Sequence, residues 1–141
     1  ERGRIMGAWS HEPFGNDDAV DWVYELENAQ DDAVLAKVFE SAIENKDEYL
    51  EADDASVIIA AVEVIAKLLG KGTQVDAYTA QIDEWVNTVK IEPSPELLEK
   101  ARTALDLVLS DDSELNELWG ETEYYDDWRA NIAALKTALA K

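Results

Sequence analysis

The 141-residue chain has no cysteine, one histidine, His11, and one methionine, Met6. Without cysteine it can form no disulfide and no thiolate metal site, and it has no thiol nucleophile. A Ser-His-Asp arrangement would have to use His11, yet no serine lies in a Gly-x-Ser-x-Gly elbow. No phosphate-binding glycine loop is present either. These absences predict a protein that is not an enzyme and that holds no cofactor and no metal.

Long apolar runs are also missing. The longest candidate, Val57–Leu69, is interrupted by Glu63 and Lys67, whereas a transmembrane helix needs roughly 18 apolar residues. No signal peptide is visible, and together with the absence of cysteine this favours the cytoplasm. Because Met6 is the single methionine, we expect the natural chain to start there. Residues 1–5 are then a foreign remnant, and residues 6–141 form one domain.

Basic residues are scarce: 12 lysines and arginines face 32 acids, for a net charge of −20. A field of this sign repels nucleic acid and anionic membranes and attracts basic proteins. Residues 5–36 carry eight acids and no basic residue, and residues 106–128 carry nine acids and none. We call these the first and second acidic runs. They are candidate interaction surfaces, although solubility or a salty cytoplasm would also explain them.

Apolar side chains recur at helical spacing along most of the chain, and no segment shows the sustained alternation of a strand. Helices are predicted over residues 16–29, 31–45, 54–69, 75–89, 94–109, 112–119 and 123–139. The third is apolar except for a stripe of Ser56, Glu63 and Lys67, which places it in the middle of a bundle. The fourth carries Val75 and Tyr78 on its apolar side. The sequence therefore predicts a single all-α domain of about seven helices, with stacked helix hairpins as one arrangement.

An irregular arm precedes the first helix, because glycines and Pro13 interrupt any regular pattern there. Asn16 is a favourable N-cap residue for that helix. We expect Trp9 and Phe14 to fix the arm onto the bundle, Asp21 to bond the arm's backbone, and Trp22 to lie in the core. The alternative is that Trp9 is presented to a partner as an aromatic anchor.

These opening residues resemble a family signature. Gly7-Ala8-Trp9, Phe14, Asn16-Asp17, Ala19 and Asp21-Trp22 are similar to the pattern G-[AT]-W-G-x-x-x-F-x-N-D-x-A-x-D-W of an uncharacterised bacterial family of small acidic proteins. Weaker similarity extends over nearly all of residues 6–141. Ser10 stands where the pattern usually has glycine. The resemblance implies a domain of unknown function and supports a natural start at Met6, but it implies no activity.

The charge distribution is the strongest indication of function. It predicts a non-enzymatic acidic module, of the inhibitor or immunity type, that docks on a basic partner such as a bacterial toxin or nuclease. The oligomeric state is left open. The alternative is an enzyme or a small-ligand or metal receptor that uses carboxylates near the arm, with Asp17, Asp18 and Asp21 as its residues. The predicted partner-binding acids are those of the second run, namely Asp111, Asp112, Glu114, Glu117, Glu121, Glu123, Asp126 and Asp127.

Overall fold

The computed structural model describes residues 10–140, and within them the chain is helical with no β-strand. A single 3₁₀ turn, Ala77–Thr79, precedes the fourth α-helix. The predicted all-α bundle is therefore confirmed. The seven helices are α1 (Asp17–Glu27), α2 (Ala33–Glu44), α3 (Ala52–Leu68), α4 (Ala80–Val89), α5 (Pro95–Val108), α6 (Glu114–Gly120) and α7 (Tyr125–Leu139).

Helix α3 is the centre of the bundle, as its composition predicts. It packs against each of the other six helices, and of the residues from Ala55 to Lys67 all but Val57 are buried. A helix surrounded on all sides must be apolar around nearly its whole circumference. None of the helices in residues 10–140 combines the length and the apolar character that a membrane span requires.

Side-chain caps fix where several helices begin. The Asn16 carboxamide oxygen accepts from the Ala19 backbone N–H at 2.8 Å, as its cap preference predicts. Ser94 caps α5 in the same way, and Pro95 occupies the first turn, where a missing N–H does no harm. Ser113, one residue after the predicted start at Asp112, caps α6.

Two predictions along the chain are wrong. Helix α3 begins at Ala52 rather than Asp54, because the Glu114 carboxylate of α6 accepts the Ala52 N–H at 2.8 Å and so caps the helix from outside. Val75 and Tyr78 do not contribute to the core, since they are 81% and 55% exposed. The chain around them is a loop followed by the 3₁₀ turn, and regular helix starts only at Ala80.

The described part of the arm, residues 10–16, packs on the bundle as predicted. Phe14 is fully buried, and its backbone N–H donates to the Gln74 side-chain oxygen at 2.8 Å. The Ser10 N–H donates to the Gly15 carbonyl at 3.1 Å, which closes a tight turn. A Cβ on Gly15 would lie 2.1 Å from the Ser10 hydroxyl oxygen, so this close approach requires glycine. Trp9 lies outside the described residues, and its role stays a prediction.

A buried polar network lies beneath the loop of residues 70–76. The Glu63 carboxylate, fully buried on α3, accepts the Thr73 N–H, the Thr73 hydroxyl and the Gln74 N–H, each at 2.8 Å. The Lys67 ammonium donates to the Gln74 carbonyl at 2.6 Å and pairs with Asp83 at 2.7 Å. Burial raises the pKa of Glu63, and the three hydrogen bonds and Lys67 oppose that shift. Through Gln74, the network holds both the loop and the arm.

Candidate partner-binding surface

The predicted partner-binding acids lie on the loop before α6, on α6 and at the start of α7. Two of them have partners within the chain. Glu114 is half-buried because it caps α3, and Glu117 accepts a hydrogen bond from the Tyr49 hydroxyl. The other six are exposed, namely Asp111, Asp112, Glu121, Glu123, Asp126 and Asp127. The structure thus separates Glu114, which caps a helix, and Glu117, which is exposed but bonded to Tyr49, from six exposed acids.

The link between α2 and α3 connects the two acidic runs. The Leu50 N–H donates to the Asp112 carbonyl, and the Leu50 carbonyl accepts the Glu114 N–H, both at 2.8 Å. This isolated bridge holds the link against the second run. The hydrogen bond to Glu117, together with negative charge from Glu114 and Asp112, raises the pKa of Tyr49 to about 12. Tyr49 therefore lies within the field of the second run.

On its other side the link borders a groove of about 930 Å³ between α1, α2 and the start of α3. Helices α1 and α2 both pack on α3 but make little contact with each other, which leaves this space open. Its lining includes seven acids, of which Asp18, Asp21 and Glu25 come from the first run. The other four acids follow α2 in the chain and are Glu48, Glu51, Asp53 and Asp54. The lining contains only two lysines, Lys37 and Lys46.

The floor of this acidic groove is apolar. Trp22 of α1 is buried there, and Val34, Val38 and Ala42 of α2 follow one another at four-residue spacing along the groove side of that helix. Val57 of α3 completes the row, and both it and the three α2 residues are only partly buried. The groove therefore combines partly buried apolar side chains with a rim of negative charge.

Carboxylates on the rim are crowded. The pKa of Asp18 is raised, first by burial and then by the negative charge of Asp53. The charges of Asp17, Asp21 and Asp54 raise it less. Burial and the charge of Asp53 also raise the pKa of Asp54. Each shift means that the folded chain holds these acids ionised less easily than an unfolded chain does. An approaching positive charge would relieve that repulsion.

One group of carboxylates on the described surface has the spacing that a metal ion could use. Carboxylate oxygens of Glu51, Asp53 and Asp54 come within 4.8 Å of one another, and all three residues are exposed. Exposed acidic groups at this spacing are common without a bound ion, so the group by itself does not indicate a metal site. No group of three ligands among residues 10–140 includes His11, Asp17 or another acid near the arm.

Beneath the arm, His11, Glu12 and Asp18 help to line a second cavity of about 20 Å³. That volume is about the size needed for one water molecule and is too small for a substrate. The three acids proposed for the alternative receptor, Asp17, Asp18 and Asp21, therefore do not line one common cavity. Asp18 and Asp21 line the groove, while Asp17 is exposed and lines neither cavity.

Asp21 and Trp22 occupy different environments although they are adjacent. Asp21 is exposed, and among the described residues it makes no hydrogen bond with the arm's backbone. Trp22 is 5% exposed, in agreement with its predicted place in the core, but its buried indole N–H has no hydrogen-bond partner among residues 10–140. The indole N–H of Trp85, by contrast, donates to the Ala29 carbonyl at 2.9 Å.

The sequence does not predict the groove. It predicts only that Asp21 bonds the arm's backbone, with Asp17, Asp18 and Asp21 as residues of an alternative receptor. The sequence does contain one indication of an open side of α2. Lys37, Ser41 and Asn45 recur at four-residue spacing beside its apolar row, and they line the same groove. That signal shows which side of α2 is polar but not which helix lies opposite.

Comparison with protein families identifies the family of this chain. The model of a family described as a domain of unknown function, DUF4259, matches residues 7–131, which is most of the chain. Comparison with curated proteins gave no match, and comparison with solved structures gave none either. The matched range includes the arm, the groove and the start of α7. The chain belongs to the DUF4259 family.

Proposed function

We propose that this protein is a non-enzymatic binding module that docks on a basic protein partner in the bacterial cytoplasm, as an inhibitor or immunity-type protein docks on a toxin or nuclease. The observation that carries this proposal is the position of the link of residues 47–51. It lies against the second acidic run on one side and borders the groove with acids of the first run on the other. Acids of two runs that are distant in sequence thus lie next to the same short link.

Electrostatics makes such a surface suited to a basic partner. A net charge of −20 steers a positively charged protein toward the chain and speeds association at low ionic strength. The crowded rim supplies an additional gain, because a bound cation lowers the repulsion that adds to burial in raising the pKa of Asp18. The same field opposes binding of nucleic acid and of anionic membranes.

The test is capture of a partner on immobilised protein from cells of the source organism, with identification by mass spectrometry. We expect a basic protein to be retained at low salt and released at high salt, since salt screens exposed charges. Retention of no basic protein at low salt would refute the proposal.

Matched variants locate the docking surface. The second-run variant carries Asp112→Asn, Glu121→Gln, Glu123→Gln and Asp126→Asn, and it spares the two acids with structural partners. The groove-rim variant carries Asp21→Asn, Glu25→Gln, Glu51→Gln and Asp53→Asn. The control removes four exposed charges outside the groove, with Glu84→Gln, Glu92→Gln, Glu96→Gln and Glu99→Gln. Capture should weaken in at least one of the first two variants and persist in the control.

A further inference from the structure

The groove between α1 and α2 has a composition that suits a particular kind of ligand. Its floor is a row of apolar side chains that are only partly buried, and a folded monomer gains nothing by leaving their exposed part in water. Its rim carries seven acids and two lysines. An occupant that complements both features must present apolar groups on one side and positive charge at the edges of that side.

From this complementarity we infer that the groove is a docking site for a basic amphipathic helix of a protein partner. The inference rests on the proposed function and deepens it by naming the partner's recognition element. A helix with apolar residues at i, i+3, i+4 and i+7, flanked by lysine or arginine, would place the apolar side on Val34, Val38 and Val57. Its basic residues would then face the acidic rim.

The volume of the groove is large enough for part of a helix. A helix about 10–12 Å across that rises 1.5 Å per residue occupies roughly 120–170 Å³ per residue, so the groove holds about two turns. Its walls present side chains in rows along α1 and α2, the surface against which helix ridges pack. The volume and the lining of the groove therefore leave room for a short stretch of helix.

An extended peptide suits the groove less well. Its backbone N–H and C=O groups need partners when they are buried, and residues 10–140 contain no β-sheet whose edge would supply them. The one extended segment at the groove, at Leu50, already uses its N–H and its carbonyl in the bridge to α6. A helix satisfies its own backbone and needs only side-chain contacts.

A second copy of this chain is an unsuitable occupant. Each copy carries a net charge of −20, so a helix of one copy would bring further negative charge to the rim of the other. Charge complementarity selects a basic partner.

The experiment titrates the full chain into a fluorescein-labelled synthetic peptide of about fifteen residues, close to the shortest length that forms a stable helix. The peptide carries leucines at the helical spacing above and lysines elsewhere. Fluorescence anisotropy reports affinity, and circular dichroism reports whether the peptide becomes helical. A second peptide of identical composition has its leucines distributed around the helix. We expect the first peptide to bind and gain helicity, and the second to bind at least about tenfold more weakly.

Two protein variants test the rim and the floor separately. The groove-rim variant defined above should weaken binding by roughly tenfold or more, since four exposed ion pairs are lost. Val34→Ser with Val38→Ser should also weaken it by about tenfold through lost apolar contact. The matched controls are the four-glutamine variant and Val86→Ser with Val89→Ser, two half-buried valines of α4 outside the groove.

Several outcomes would overturn the inference. They are equal affinity for the two peptides, binding without a gain in helicity, or equal effects of groove and control variants. The four acids changed in the groove-rim variant are all exposed, so that variant tests the site even if the floor variant fails to fold. Failure with the peptide would leave the proposed function intact, because that function is tested by capture of a whole basic protein.

Discussion

The two ends of α3 carry charged side chains in opposite situations. Near its start, Asp53 and Asp54 are exposed at the groove rim and crowd Asp18. Farther along, Glu63 is fully buried and accepts three hydrogen bonds, with Lys67 nearby. A carboxylate that is paired and bonded organises the fold, whereas one that is surrounded by other carboxylates is available to a partner. Composition alone does not distinguish the two groups.

The largest effect should come from removing the buried carboxylate. Glu63→Ala removes the negative charge beside the Lys67 ammonium and the acceptor of the Thr73 and Gln74 N–H groups. The free energy of unfolding should therefore fall by about 3–5 kcal/mol. Urea denaturation measures this change. Glu25→Ala on the groove rim is the control and should change stability by about 0.5 kcal/mol or less. Equal losses would abolish the distinction between the two regions.

The packing around the buried network gives the next largest effect. A Cβ at position 72 would lie 2.6 Å from Lys67 Cγ and 3.2 Å from a Glu63 carboxylate oxygen, so Gly72→Ala should destabilise the protein by about 1–3 kcal/mol. Gly120→Ala is the matched control, because the nearest atom to its Cβ is 3.8 Å away. Thermal or urea unfolding of both variants decides the matter. If Gly72→Ala left the free energy of unfolding unchanged, the side chains of Glu63 and Lys67 would be able to move aside at little cost.

Charge crowding on the groove rim predicts a smaller, pH-dependent effect. Asp53→Asn removes the largest neighbouring charge acting on Asp18 and Asp54, so both carboxyl pKa values should fall toward 3.8 in NMR titrations. Because these pKa values are higher in the folded chain than in the unfolded chain, ionisation of the carboxyls lowers the free energy of unfolding. This loss of stability is complete above the raised pKa and absent below 3.8. The variant should therefore gain up to about 0.5 kcal/mol at pH 7 and lose that gain on acidification.

Asp127→Asn is the control for this titration, because Asp127 does not contribute to either shift. Unchanged pKa values of Asp18 and Asp54 in the Asp53→Asn variant would show that burial alone causes the shifts. The rim would then lack the repulsion that a basic partner is proposed to relieve.

The smallest expected effect concerns the connection between the groove and the second acidic run. Glu117→Gln removes the charged acceptor of the Tyr49 hydroxyl, so the pKa of Tyr49 should fall from about 12 toward 10.0. NMR titration of the tyrosine ring signals measures it, with Glu121→Gln as the control. An unchanged Tyr49 pKa would separate the link from the second run and weaken the case for one continuous surface.

Much of the fold follows from local pattern. Apolar spacing located the seven helices, and the all-apolar character of the third placed it at the centre of the bundle, where it packs on all six others. Asn16 and Ser94 cap helices as their side-chain chemistry predicts. Helix α3 departs from this rule because its cap, Glu114, comes from 62 residues away in sequence. Local pattern carries no information about such a partner.

The candidate site follows from sequence only in part. The two acidic runs are visible in the charge pattern, but their relation through Leu50 and Asp112 depends on a long-range backbone contact. The stripe of Ser56, Glu63 and Lys67 shows why position alone is insufficient. All three residues are buried in the structure, and the loop of residues 70–76 supplies the partners that make burial of Glu63 tolerable.

By itself the sequence determined the helical class, the central helix, the acidity and the absence of thiol chemistry, because each depends on composition or on spacing within a few turns. Tertiary structure decided which acids are structural and which are open. It brought Glu114 to the start of α3 and left α1 and α2 apart over an apolar floor. The physical reason is that a carboxylate's environment is set by neighbours distant in sequence, through burial, hydrogen bonding and Coulomb interaction.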